Sequence, residues 1–102
     1  MKYRLDIRPE AEADIRSAAR WYETERTGLG VRFTEAIYEA IDLLADNALL
    51  YRIKLRRHRH EVRWTFPKGF PFRVMYYVEG LVVRVFAVFH AKRDDQEWKR
   101  RV

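Results

Sequence analysis

An α+β fold, with a helical hairpin packed on a mostly antiparallel sheet and a short C-terminal helix, is predicted by three features of this chain. Residues 9–47 carry two amphipathic stretches of helical period, interrupted at Thr27-Gly28-Leu29-Gly30. The apolar run from Phe70 to His90 is divided by Glu79-Gly80 and reads as a hairpin of two long strands. A short alternating segment precedes the helices, so the predicted order is β-α-α-β-β-β.

The first strand rests on Tyr3, Leu5 and Ile7 alternating with Lys2, Arg4 and Asp6. Pro9 suits the first position of a helix, where its missing N–H costs nothing, and Glu10, Glu12 and Asp14 suit the positive end of the dipole. Ala11, Ile15, Ala18 and Tyr22 form one apolar stripe, which Ala19 and Trp21 widen. Gly28 is expected to end this helix in a left-handed conformation. A second stripe, Phe33, Ala36, Ile37, Ala40, Ile41 and Leu44, ends near Asp46-Asn47. So short a loop between them makes the pair an antiparallel hairpin. Arg52, Lys54 and Arg56 alternate with Ile53 and Leu55 as a strand or extended arm. Arg57-His58-Arg59-His60 interrupts that pattern, and Val62, Trp64 and Phe66 resume it. Pro67-Lys68-Gly69 marks a turn before the long hairpin, and Asp94 is placed to cap a final helical turn or two.

The 102 residues suit one domain over 1–102 with one core, and 48% hydrophobic content suits a folded globule. No uncharged apolar run reaches the ~20 residues of a membrane span, and Met1 to Asp6 lacks a signal-peptide core. With no cysteine there is neither a disulfide framework nor thiolate chemistry, and a cytoplasmic protein is the simplest reading. Residues 1–50 carry 7 Lys/Arg against 10 Asp/Glu, whereas residues 51–102 carry 14 against 5. The molecule should therefore have one strongly basic side, suited to nucleic acid or to an acidic segment of a partner protein.

The densest basic patch is Arg52, Lys54, Arg56, Arg57, Arg59 and Arg63. It serves either as a charged edge that blocks aggregation or as a polyanion surface. Arg73 and Arg84 interrupt apolar strands, so each must be paired, for example with a helix carboxylate such as Glu35, or point into a site. Alternation places Arg73 on the face opposite Phe72, Val74 and Tyr76. His90 ends a strand close to Arg93, near enough to share an anion. Three histidines, two of them beside arginines, make a metal site improbable. The single serine, Ser17, lies in a helix, and no Walker or dinucleotide glycine pattern exists, so no cofactor is expected. The carboxylates concentrate in the helices, which leaves no evident acid–base dyad.

Several of these residues together carry a resemblance. Ala13-Asp14-Ile15 with Trp21-Tyr22-Glu23, Gly28-Leu29-Gly30 followed by Phe33, Phe70-Pro71-Phe72-Arg73 with Tyr76, and Val88-Phe89-His90 with Arg93, Asp94, Trp98 and Arg101 stand in the order of the RelE/ParE toxin superfamily. The chain resembles its ParE-like branch, with Phe72 where Tyr is usual and Asp95 where Pro is common. The resemblance implies the toxin of a bacterial type II toxin-antitoxin system, neutralised by a ParD-like ribbon-helix-helix antitoxin and directed at DNA gyrase. A toxic surface of Arg73, His90, Arg93, Trp98 and Arg101 is implied, with Trp21 and Tyr22 extending into an antitoxin groove. The alternative it implies is a RelE-like endoribonuclease cutting messenger RNA on the ribosome. There Arg73 would hold phosphate and His90 would move a proton, although the chain has no tyrosine after Tyr77.

Overall fold

The computed structural model describes residues 2–102; Met1 lies outside the described residues. Strand β1 (Arg4–Ile7) leads into helices α1 (Pro9–Glu25) and α2 (Leu29–Asn47). Strands β2 (Leu55–Arg57), β3 (His60–Thr65), β4 (Phe72–Glu79) and β5 (Val82–His90) follow, and helix α3 (Asp95–Lys99) closes the chain. The basic stretch forms a strand of its own, so four strands follow the helices where three were expected. The sheet order is β1-β5-β4-β3-β2, with β1 parallel to β5 and every other pairing antiparallel. The most apolar strands are thus central.

Two layers of core use the two faces of this sheet. On one face the α1–α2 hairpin packs Ala11, Ile15, Phe33, Ile37, Ile41 and Leu44 onto Val74, Tyr76, Val83, Val85 and Val88. Tyr76 is buried, its hydroxyl donates to the Ala48 carbonyl at 2.6 Å, and burial pushes its ionisation well up. On the other face Val62, Met75, Phe86, Ala87 and Phe89 pack beneath α3 through Trp98.

The hairpin's turn differs from expectation in one respect. Gly28 is left-handed, with φ of 87°, but it stands at the N-cap of α2, while α1 has already ended at Glu25. Glu23 does the capping: its carboxylate accepts from the Gly28 and Gly30 N–H groups at 3.0 Å each. Gly30 also sets the helix separation, because a Cβ there would stand 2.6 Å from the Ala19 carbonyl oxygen.

A β-bulge decides which way the end of β5 faces. Met75 pairs with Ala87 but Tyr76 pairs with Val85, so Phe86 is an extra residue. Up to Val85 the odd-numbered residues of β5 face the helices. Beyond the bulge Val88 does so, and Ala87 and Phe89 join Phe86 on the α3 side. His90, paired with Phe72, therefore ends on the helix face.

Candidate functional site

The C-terminal half of α1 and the ends of β4 and β5 enclose an open cleft. Phe70-Pro71-Phe72 builds its sheet side. Pro71 has no N–H to offer a ladder and stands just outside β4, while its carbonyl accepts from the Ala91 N–H at 2.8 Å. The two phenylalanines pack into the helical hairpin, where Phe72 meets Phe33 at 4.9 Å and Tyr22 at 6.0 Å between ring centroids. Tyr22 also stacks on Phe33 at 5.1 Å, and burial raises its hydroxyl pKa. Tyr22 is therefore a wall of the core. Trp21, one residue along, points outward with 58% of its surface exposed and rests edge-on against Tyr22.

His90 faces Trp21 across this cleft. Its ring meets Phe72 edge-on at 5.3 Å, and its Nδ1 accepts the Lys92 N–H at 3.1 Å. The cleft beside it measures about 510 Å³ and is lined by Ala13, Asp14, Ser17, Ala18, Trp21 and Phe72, with Val88, His90 and Arg93. Arg93 stands at the rim, its guanidinium 3.8 Å from the Phe89 ring centroid and paired twice with Glu97 at 2.7 and 3.1 Å. That hydrogen-bonded pairing raises the arginine's pKa and lowers the glutamate's.

Arg101 acts on the floor of the cleft. Past the end of β1 the free edge of β5 has no neighbouring strand, yet its polar groups are satisfied by side chains. Asp14 accepts from the Val88 N–H at 3.0 Å and from both Arg101 amino groups at 2.7 and 3.1 Å. Arg101 also donates to the Phe86 carbonyl at 3.1 Å. A helix carboxylate and the tail arginine thus close a sheet edge that would otherwise be open. The separation of carboxylates from the cationic hairpin, expected from sequence, fails at this point. Asp14 betrays itself in the sequence as a carboxylate on the buried stripe, three residues past Ala11 and four before Ala18.

Arg73 and Trp98 were expected at the surface with His90, and both are instead inside, on the opposite face of the sheet. Arg73 is 6% exposed and Trp98 1%. The Arg73 guanidinium lies 4.9 Å from the Trp64 ring centroid and its Nη2 donates to Asp95 at 3.0 Å. The same Asp95 oxygen accepts from the Trp98 indole N–H at 3.0 Å. The indole bond first, and the arginine second, hold the Asp95 carboxyl below its usual range against some desolvation. Buried Nε of Arg73 has no hydrogen-bond partner among the described residues. The arginine ties α3 to the sheet, so it and His90 do not share a site. Nor does Arg84 reach Glu35: it pairs with Asp6 at 2.8 Å and Glu79 at 3.0 Å.

The basic patch lies far along the sheet from the cleft, on β2, β3 and the loop before them. Arg52, Lys54, Arg56 and Arg59 are exposed. Arg57 donates to the Lys99 carbonyl at 2.7 Å and Arg63 to the Tyr51 carbonyl at 2.8 Å. Among the described residues no group of His, Asp and Glu could hold a metal ion, and no helix is long and apolar enough to cross a membrane.

Comparison with known proteins decides the family. The family model described as "ParE toxin of type II toxin-antitoxin system, parDE" matches residues 5–95. The chain belongs to the ParE toxin family. Membership makes it a toxin component of a type II toxin-antitoxin system, with an antitoxin as its partner. A solved structure described as the chromosomal ParDE TA system from P. aeruginosa shares the toxin's fold. Its TM-score is 0.75 at 17% identity, covering 87% of this chain and 96% of that one. No curated protein matches the chain.

Proposed function

We propose that this toxin arrests growth by binding DNA gyrase, in the cytoplasm, and that the cleft of Trp21, Phe72, His90 and Arg93 is the surface it uses. The observation that carries this reading is the bulge at Phe86. It turns His90 to the helix face while Arg73 stays buried on the other, so the two cannot hold and protonate one phosphate. A wall of exposed tryptophan beside small residues, with the Asp14–Arg101 pair satisfied internally beneath it and Arg93–Glu97 at the rim, suits protein recognition, where buried aromatic anchors carry most of the affinity.

The same cleft suits the antitoxin. Trp21 and His90, reached by separate arguments, lie across one depression, so an antitoxin segment filling it would exclude the target directly. A ParD-like antitoxin with a ribbon-helix-helix start and a disordered acidic or amphipathic tail, folding as it docks, would complement the cationic rim. Purified toxin added to a gyrase supercoiling reaction tests the reading, with transcripts followed in parallel in a translation extract. Inhibition at micromolar toxin with intact transcripts is the expected result. Unimpeded supercoiling with cleaved transcripts would replace the gyrase reading by the ribonuclease one.

A further inference from the structure

The β2–β3 ribbon has features that neither the cleft nor the fold requires. From residue 52 to residue 58 exposure alternates: Arg52, Lys54, Arg56 and His58 are exposed, and Ile53, Leu55 and Arg57 are half-buried. The Lys54 N–H continues the ladder to the Val62 carbonyl at 2.8 Å, so this stretch is extended. Arg52, Lys54 and Arg56 then stand about 7 Å apart in succession along one line. β2 is the edge strand of the sheet, so the line borders no other strand. Arg59 at the turn adds a further exposed charge, and the tip also lines an open cleft of about 410 Å³.

Little neutralises this line. Arg52, Lys54 and Arg59 make no ion pair among the described residues, and Arg56 has an exposed pair with Glu61 at 3.1 Å. Exposed pairs of that kind are worth little and exchange readily for a stronger anion. At the tip His58 takes a left-handed φ of 56°, a conformation that glycine adopts at less cost. That φ is what the first central position of the two-residue turn between the paired Arg57 and His60 calls for.

We infer that the β2–β3 ribbon binds the phosphate backbone of duplex DNA, independently of the cleft. The shape decides between polyanions. Because β3 is paired with β4, only the β2 edge and its turn are presented, and a strand edge can follow the phosphates that border the wide major groove of B-form DNA, whereas the major groove of an RNA duplex is deep and narrow. An acidic peptide would need apolar anchors along the line, and between Arg52 and Arg59 every exposed side chain is polar, the exposed Leu49 and Leu50 standing before it. Guanidinium groups, which dominate the line, also match phosphate oxygens in pairs.

The test is fluorescence anisotropy of a short labelled B-form duplex of mixed sequence with the toxin. It is compared with the triple variant Arg52→Gln, Lys54→Gln, Arg59→Gln, chosen because those residues make no ion pair and their loss should leave the melting temperature unchanged. About four phosphate contacts predict an affinity that falls on the order of 100-fold between about 50 and 200 mM salt. The triple variant should bind at least about 10-fold more weakly at low salt, with a salt slope shallower by about 3. The inference is overturned if the toxin leaves the duplex free at low salt, or if the variant keeps the parent slope. Equal affinity for an RNA duplex or for polyglutamate would overturn it as well. Because supercoiling also uses duplex DNA, the triple variant, whose cleft is intact, is tested in that assay as well, so gyrase inhibition through the cleft is read without the ribbon.

Discussion

At the scale of single residues, the buried Arg73 and the half-buried Arg101 show how a cation is held against an apolar core. Arg101 and Asp14 form a two-bonded pair in which the carboxylate is 9% exposed and also caps a strand N–H. Removing one partner leaves the other charged and buried. Arg101→Ala should therefore destabilise the toxin by about 3–5 kcal/mol, read as a shift of the urea midpoint. Asp95 makes a prediction about pH. Its carboxyl lies below the ordinary value of 3.8 in the folded state, so its contribution is complete above that value and is lost as pH falls through the folded pKa. Acidification below about pH 4 should loosen α3 in the parent protein, seen in near-ultraviolet circular dichroism of Trp98 and Trp64. Asp95→Asn should show the looser signal already at neutral pH and little further change with acid. Neither contact was legible beforehand, because each joins residues far apart in sequence: 22 positions separate Arg73 from Asp95 and 87 separate Asp14 from Arg101.

At the scale of elements, the readable parts were those with a strict period. Of the α2 stripe read from the sequence, Phe33, Ile37, Ala40, Ile41 and Leu44 are buried and Ala36 is half-buried. The break at Gly28 was visible, but its role was not, since the capping carboxylate of Glu23 belongs to the preceding helix. Gly30 gives the clearest test of the helical hairpin. In an exposed helix Gly→Ala gains about 1 kcal/mol, but here the new Cβ would meet a carbonyl oxygen of α1 at 2.6 Å. Gly30→Ala should instead cost about 1–3 kcal/mol and speed hydrogen exchange in the last two turns of α1. The bulge was hidden for the opposite reason. Val85-Phe86-Ala87-Val88-Phe89 is apolar at every position, so nothing in it marks where the alternation slips. Because that slip sets the face of His90, the composition of the candidate site could not be read from spacing.

At the scale of the whole molecule, the toxin carries two separate surfaces at different parts of one sheet: an apolar cleft against α1 and a cationic ribbon at the far edge. The excess charge of residues 51–102, plain in the sequence, divides between them and the interior. Arg73, Arg84 and Arg101 are consumed in structural pairs, whereas Arg52, Lys54 and Arg59 make no ion pair among the described residues, Lys54 lying over the Trp64 ring at 5.8 Å. In the reading proposed above, toxicity belongs to the cleft. The most direct test is the toxin concentration that half-inhibits gyrase supercoiling, measured for Trp21→Ala beside the parent. Trp21 is largely exposed, so its removal should leave the melting temperature nearly unchanged. Losing an aromatic anchor of about 2 kcal/mol or more should raise the half-inhibitory concentration at least about 10-fold. An unchanged concentration with a folded variant would contradict the assignment of toxicity to the cleft.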